Sequence, residues 1–320
     1  MSKSIVYSLV LVFVLMGVFG LAFRVQRVEA SGTIYIRANG LVEGTDKITN
    51  ANNVSYTFTD DINDSIIVER SNIIIDGAGY TLQGLGFGNG FYWSGINNVT
   101  IKNTNIKNFG TGVWLDSSSN SRFYHNNLID NTYQVYFESD YANVWDDGYP
   151  SGGNYWSDYA GVDLDHDGIG DTEHVINENN TDNYPLMGMF SDFKATSEHH
   201  VQTICNSTIS GFQFNGTAIT FDVSGENDNA GFCRICIPKA LMNETYRVLV
   251  NGTEILPAPL PLPCSNNTHT YLYFTYNHST QEVIIIPEFP SLIILPLFMI
   301  ATLLAVIVIN KKMVWKGINS

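Results

Sequence analysis

Apolar and polar positions alternate along much of this chain, and in one stretch the alternation repeats. Asn98-Val-Thr-Ile101 lies over Asn120-Ser-Arg-Phe123 at an offset of 22 residues. The same offset sets Ile106 over Leu128, Val113 over Val135, Trp114 over Tyr136 and Leu115 over Phe137. A looser copy starts at Asn72-Ile-Ile-Ile75, 26 residues before Asn98. Within each unit the period is two, as in Val99 and Ile101 against Thr100 and Lys102, which is the period of a strand. Asn, Gly, Thr, Ser and Asp fill the gaps, as tight turns require. Short strands recurring at a fixed interval predict a stack of coils, because no single unit buries its own apolar face. A parallel β-helix satisfies the constant offset better than a sandwich of irregular strands. It also predicts aliphatic columns inside, with Asn72, Asn98 and Asn120 as candidates for an amide ladder at one turn.

Around this region the pattern is less regular. Thr33 to Arg37, Tyr56 to Phe58 and Ser65 to Val68 predict short opening strands that cover the first coil. The glycines from Gly77 to Gly90 predict a flexible loop that ends in Phe91, Tyr92 and Trp93. Residues 188–200 are polar and aperiodic and are expected to be a linker. Beyond them, Ala218 to Val223, Tyr246 to Val250, Thr270 to Thr275 and Glu282 to Ile286 alternate again. Asn215-Gly216 and Asn251-Gly252 supply turns. Strands spaced in this way predict a small antiparallel sandwich, Ig-like in outline, over residues 201–286.

Both termini are apolar. Lys3 followed by Ile5 to Phe23, with Val28-Glu-Ala30 before Ser31, predicts a helical signal peptide over residues 1–30. Pro287-Glu-Phe-Pro290, an apolar run from Leu292 to Ile309 and Lys311-Lys312 predict a transmembrane anchor helix over 287–312. A cytoplasmic tail would then occupy 313–320. The expected class is thus all-β, with a β-helix over 31–187, a sandwich after it, and the body on the outer face of the membrane.

Charge narrows the partners. Acidic residues outnumber basic ones 31 to 16, and only 15% of residues are charged. Six of the bases but only one of the acids lie in the terminal segments, so the body carries about −20. That field repels nucleic acid, which is excluded as a partner, and attracts cations.

Three groups of residues carry candidate chemistry. In Asp163-Leu-Asp-His-Asp-Gly-Ile-Gly-Asp171, the carboxylates of Asp163, Asp165 and Asp167 fall at positions 1, 3 and 5 of a Ca²⁺ loop. Gly168 falls at 6, the Ile169 carbonyl at 7 and Asp171 at 9. Position 12 is His174 rather than a bidentate Glu, and no helices flank the loop, so a structural Ca²⁺ site is expected rather than an EF-hand. Cys205, Cys233, Cys236 and Cys264 all lie in the second domain, and four cysteines outside the cell predict two disulfides in one of three connectivities. Neither a zinc site nor a redox dithiol has the required context around Cys233-Arg-Ile-Cys236. Glycosylation acceptors are dense, at Asn53, Asn63, Asn179, Asn206, Asn215, Asn243, Asn251, Asn266 and Asn277, whereas the Asn98 sequon is expected to serve a coil instead.

Gly152-Gly-Asn-Tyr-Trp-Ser-Asp-Tyr159, the acidic stretch and Asp182-Asn-Tyr-Pro-Leu186, following Asn-rich coils, resemble archaeal surface proteins with a NosD-like right-handed β-helix. The resemblance covers about Thr33 to Met187. The NosD name refers to copper delivery, but His125, His166 and His174 are scattered and no copper is expected. Pro287, Glu288 and Phe289 are similar to a PEF-type sorting signal. That similarity implies an archaeosortase-like enzyme and a final lipid anchor. Related coils occur in carbohydrate-binding proteins and sugar hydrolases. The expected function is a surface-displayed, non-enzymatic module for carbohydrate or envelope components, with Trp93, Trp114, Tyr136 and Trp156 as candidate ligand contacts. The alternative is a polysaccharide lyase or glycosidase, for which Asp146 and Asp147 are the candidate carboxylates and Arg122 or Lys102 the candidate base.

Overall fold

A computed structural model describes residues 32–288, apart from 227–228, 243–244 and 261–263. The expected signal segment, the transmembrane run, Phe289 and Asn243 lie outside these residues. Among the described residues every regular element is a strand, and no helix is long and apolar enough to cross a membrane.

Residues 33 to about 187 wind into a β-solenoid of about four turns, built from three parallel sheets. The largest sheet orders its strands Tyr133–Phe137, Thr111–Asp116, Asn89–Ser94, Ile66–Val68, Ile34–Ile36 and Val42–Glu43. The second runs Arg122–Tyr124, Val99–Lys102, Ile73–Asp76, Ser55–Phe58 and Ile48–Ala51. The third runs Tyr155–Trp156, Asn127–Ile129, Asn105–Lys107 and Thr81–Gln83. The 22-residue offset is the register of the stack: Val113 pairs with Val135, Trp114 with Tyr136, Ile106 with Leu128 and Ile101 with Phe123. The 26-residue offset pairs Ile73 with Val99. At the start of the stack the pairing turns antiparallel. Val42–Glu43 folds back on Ile34–Ile36, and Ile48–Ala51 folds back on Ser55–Phe58, so the first coil is closed by local hairpins.

The interior begins aliphatic and ends aromatic. Ile34, Ile66, Val99, Ile101, Val113 and Leu115 are all buried. Further along, Trp93 stacks on Phe123 at 5.9 Å, Phe123 on Trp145 at 4.1 Å, and Trp145 leans on Trp156 at 5.8 Å. Burial of such rings is the main stabilising contribution here, at about 25 cal/mol per Å² removed from water. The glycine-rich stretch is not a flexible loop. It contains the strand Thr81–Gln83, and a Cβ on Gly84 would sit 2.4 Å from the Asn108 carbonyl, so the glycine is there for close coil-to-coil approach.

Residues 188–200 are not a linker. Met189–Lys194 pairs antiparallel with His200–Cys205, from Met189 opposite Cys205 to Lys194 opposite His200. Phe190 and Phe193 are three residues apart and face opposite sides of the strand, Phe190 stacking on His125 and Phe193 on Phe212, and the polar composition belongs mainly to the hairpin tip around Thr196 to His199. This hairpin opens a five-stranded sheet that continues through Ala230–Pro238, His269–Asn277 and Ala258–Pro259. A second five-stranded sheet comprises Thr208–Phe214, Ile219–Ser224, Gln281–Pro287, Tyr246–Val250 and Thr253–Ile255. The two share one core, which includes Val201, Ile235, Phe274, Phe221, Val248 and Ile285. The second domain therefore begins at residue 189 rather than 201, and its last strand takes in Pro287.

The hairpin also joins the solenoid. The Phe190 backbone N–H donates to Asn127 Oδ1 (2.8 Å), Asn127 Nδ2 donates to the Phe190 carbonyl (2.9 Å), and the Phe190 ring stacks on His125 at 3.9 Å. Arg234 Nη2 donates to the Pro150 carbonyl at 2.7 Å.

Candidate functional site

The outer face of the six-stranded sheet carries a continuous column of side chains. Tyr35 pairs with Ile67, Ile67 with Tyr92, Tyr92 with Trp114 and Trp114 with Tyr136. Their inward neighbours (Ile66, Phe91, Val113 and Leu115) fill the core, so alternation turns these residues outward. Four inter-strand steps of about 4.8 Å give a column about 19 Å long. Trp114 packs against Tyr136 with centroids 4.6 Å apart and edge-on against Tyr92 at 6.2 Å, while Tyr136 stays 40% exposed. The Arg37 guanidinium lies 3.9 Å over the Tyr35 ring at the far end. Beside the aromatics runs a polar row. Ser94 Oγ donates to Asp116 Oδ2 (2.7 Å), and Arg37 pairs with Glu69 (2.9 Å). Hydroxyls of Ser94 and Ser117 hold the Asp116 carboxyl below the usual carboxylate range. Flat apolar faces edged by hydrogen-bonding groups are the surface on which sugar rings stack.

Only half of the four aromatic candidates belong to this surface. Trp114 and Tyr136 lie on it. Trp93 is fully buried, because it is in register with inward Leu115 rather than with Trp114. Trp156 is 1% exposed and closes the end of the core. Strand parity separated these residues in the sequence, since Phe91 and Trp93 flank Tyr92 just as Val113 and Leu115 flank Trp114. Tyr92 and Tyr35 are the members that sequence reasoning missed.

The Gly-Asn-Tyr-Trp and Asp-Asn-Tyr-Pro-Leu motifs end the stack. The Thr104 N–H donates to Asn126 Oδ1 (3.2 Å), the Asn126 N–H to Asn154 Oδ1 (3.1 Å), and the Asn154 N–H to Asp182 Oδ2 (2.8 Å). Asp182 also accepts from Trp156 Nε1 at 2.9 Å and from the Tyr184 N–H at 3.0 Å. Asn154 spends its own amide on the Phe123 and Trp145 carbonyls, at 2.9 and 2.7 Å. A buried ladder of this kind satisfies backbone groups that the last coil leaves unpaired. A parallel ladder runs from the Ser121 N–H to Asn143 Oδ1 (2.9 Å) and from the Asn143 N–H to Asn180 Oδ1 (3.0 Å). Gly153 has no alternative, since a Cβ there would lie 1.9 Å from Asp182 Oδ1. The expected Asn72, Asn98 and Asn120 ladder is formed only in its first rung, Asn98 Nδ2 to Asn72 Oδ1 at 2.9 Å, while Asn120 turns to Ser119.

In the acidic loop, Asp163, Asp165 and Asp171 each place a carboxylate oxygen within 4.8 Å of the others. Asp167, also expected as a ligand, behaves differently. Asp167 is turned inward, 4% exposed, and accepts the Ile169 N–H at 2.7 Å, while the Ile169 side chain packs with Leu186, Phe190 and Ile204. Asp163 also receives the Asp167 and Gly168 N–H groups, at 3.0 and 2.9 Å. Burial, followed by the charges of Asp167, Asp171 and Asp163, raises the Asp165 carboxyl above its usual range.

All four cysteines are buried, and none is bridged in this structure. Cys205 lies opposite Cys233 on adjacent strands. Cys236 lines a different cavity, with Arg234, Tyr271 and Ser151, and Cys264 Sγ is 2.7 Å from the Tyr149 hydroxyl. Every described glycosylation acceptor is exposed, namely Asn53, Asn63, Asn179, Asn206, Asn215, Asn251, Asn266 and Asn277. The residues weighed for sugar cleavage are engaged. Asp147 pairs with Arg122 (2.7 Å), Lys102 with Asp76 (2.9 Å), and Asp146 accepts from Asn183 Nδ2 (2.8 Å).

These coils define a NosD-like parallel β-helix. Residues 27–161, under half of the chain, match the family described as periplasmic copper-binding protein (NosD). A stretch of 82 residues is 35% identical to the probable ABC transporter binding protein NosD of Stutzerimonas stutzeri, covering 25% of this chain and 18% of that protein. The similarity therefore spans less than a fifth of that relative's length. No solved structure matches. The described residues do not fit copper. The trio they gather for a shared ion is all carboxylate oxygen, whereas copper favours imidazole and sulfur. His125 is committed to Ser151, with Nε2 3.0 Å from its carbonyl, and His174 packs against Trp156 at 4.6 Å.

Proposed function

We propose that this chain is an extracytoplasmic, surface-displayed β-helix protein that binds carbohydrate without cleaving it. The observation that carries this reading is the outward column of Tyr35, Ile67, Tyr92, Trp114 and Tyr136 beside its polar row. The solenoid holds these side chains at a fixed spacing, so little ordering is needed when a glycan chain lies along them. The periplasmic description of the matching family supports a location outside the cytoplasm. In this reading the second domain, Ig-like in outline, is the stalk. The apolar C-terminal run, or a lipid added after sorting at Pro287, Glu288 and Phe289 by an archaeosortase-like enzyme, is the anchor. Exposed sequons carry glycans.

Ca²⁺ is the cation of this scaffold, held by Asp163, Asp165 and Asp171. With Asp167 facing inward, the ion has fewer protein ligands than the loop pattern implies, and its role is to neutralise three converging carboxylates. The test of function is a glycan array probed with the wild-type protein and with Trp114→Ala. Selective binding that Trp114→Ala abolishes supports the proposal. Binding to nothing, or equal binding by both proteins, refutes it.

A further inference from the structure

We propose that Cys205 and Cys233 form a disulfide and that Cys236 and Cys264 remain thiols. Cys205 and Cys233 are directly opposite in an antiparallel pair, in the register that runs from Gln202 and Cys236 to Cys205 and Cys233. Residues so placed have Cα atoms about 4.5–5.5 Å apart and side chains on the same face. That spacing falls inside the range a disulfide spans, about 4.4–6.8 Å. Both side chains enter the core shared by the two five-stranded sheets. No other pairing has this geometry. Cys233 and Cys236 are three residues apart in the extended strand Ala230–Pro238, about 10 Å by strand rise, and odd spacing turns them to opposite faces. Cys236 is opposite Gln202 and Tyr271, not Cys205. Cys264 belongs to a separate cluster with Leu260 and Tyr273, and its sulfur is taken by Tyr149.

The surroundings of Cys205 also select it as the first nucleophile. Its sulfur accepts the Ser207 N–H (3.4 Å) and lies 3.3 Å from the Tyr276 hydroxyl, beside the Cys233 thiol. These neighbours, led by Cys233, bring the Cys205 thiol down to about 7, while burial pushes Cys233 up. Tyr276 continues to Ser207 Oγ (2.7 Å) and on to His278 Nε2 (2.8 Å), a buried hydrogen-bonded chain that leads away from the thiol.

The oxidant is a low-molecular-weight disulfide, admitted to the folded protein by local opening of the sheet over the pair. The Cys205 thiolate attacks one sulfur of the oxidant, forming a mixed disulfide and releasing one thiolate. Cys233 then loses its proton to that thiolate and attacks the Cys205 sulfur, releasing the second thiol. Two protein thiols and one oxidant disulfide become one protein disulfide and two small thiols.

The test is a peptide map of the full-length protein, refolded in a buffer of oxidised and reduced glutathione, alkylated after unfolding, and digested without reduction. The expected result is a cross-linked peptide pair containing Cys205 and Cys233, 2 Da lighter than the sum of its parts. Cys236 and Cys264 should be fully alkylated, and the Cys236→Ser/Cys264→Ser variant should give the same cross-link. Four alkylated cysteines, or a bridge that joins Cys205 or Cys233 to another cysteine, overturns the proposal. A Cys236–Cys264 bridge overturns the assignment of the two thiols.

Discussion

Removing the Asp182 carboxylate should unfasten the end of the stack. In Asp182→Ala, the Asn154 N–H and the Trp156 indole N–H lose their acceptor at positions that are 0% and 1% exposed. Each stranded buried donor costs about 1–3 kcal/mol, and the space left by the carboxyl adds to this, so a loss of about 4 kcal/mol is expected. Asp182→Asn keeps the shape but sets an amide N–H against one donor and should cost about 1–2 kcal/mol. Asp182→Asn and His125→Asn separate two opposing pH effects. Burial pushes the Asp182 carboxyl up to about 7, even against the hydrogen bonds from Trp156, Asn154 and Tyr184. A carboxyl that holds its proton more tightly folded than unfolded stabilises the fold as the pH falls from about 7 towards 4. A rise of about three pH units corresponds to at most about 4 kcal/mol. His125 acts in the same window with opposite sign. Burial holds its imidazole down at about 4, so the fold loses up to about 3 kcal/mol as the pH falls from about 6.5 to 4. Wild-type stability should therefore be nearly flat in pH as far as these two groups decide it. Asp182→Asn should make the protein acid-labile. His125→Asn, chosen because asparagine tolerates the backbone φ of 58° there, should make it acid-stabilised. Urea unfolding at several pH values, followed by tryptophan fluorescence, reads all four proteins. A loss below about 1 kcal/mol for Asp182→Ala, or parallel pH curves for all of them, would refute the reasoning.

Other outcomes follow from the same structure. Gly153→Ala should cost as much as Asp182→Ala, because its Cβ would displace the same carboxylate; equal stability to wild type would contradict the ladder. Ca²⁺ at a hundredfold excess over its dissociation constant should stabilise the protein by about 3 kcal/mol in thermal melts, and Asp165→Asn should abolish the effect. Asp167→Ala should destabilise the protein even without Ca²⁺, because it removes a buried cap on Ile169. Reduction of the Cys205–Cys233 bridge, which closes a loop of about 28 residues, should cost about 3–4 kcal/mol and lower the melting temperature by about 10 °C; an unchanged melt would count against the bridge.

The repeat was legible because each offset in the sequence is a hydrogen-bonding register in the stack. Trp114 over Tyr136 in the sequence is Trp114 beside Tyr136 in space. The buried ladders were hidden because their rungs are unevenly spaced: Asn126 to Asn154 and Asn143 to Asn180 span loops of different length. The linker expectation failed at Met189–Lys194, where two phenylalanines three residues apart face opposite sides of a short strand, so no alternation shows and the polar tip dominates the composition. The acidic loop was legible as a cluster, but not the inward turn of Asp167, where the next residue, Gly168, lies against Arg234 and Phe232 of the second domain. Pairing of the cysteines needed the register of Cys205 with Cys233, which no local pattern encodes.

The central claim is that the aromatic column binds glycan and leaves it intact. The most direct measurement is isothermal titration of the best array ligand into wild type, Trp114→Ala and Tyr136→Ala, with the ligand recovered and its chain length analysed. Loss of one stacked ring should weaken binding about tenfold or more, with ligand length unchanged and Trp156→Phe binding like wild type where it folds. Undiminished affinity in Trp114→Ala, or shortened chains with new ends, would contradict the account.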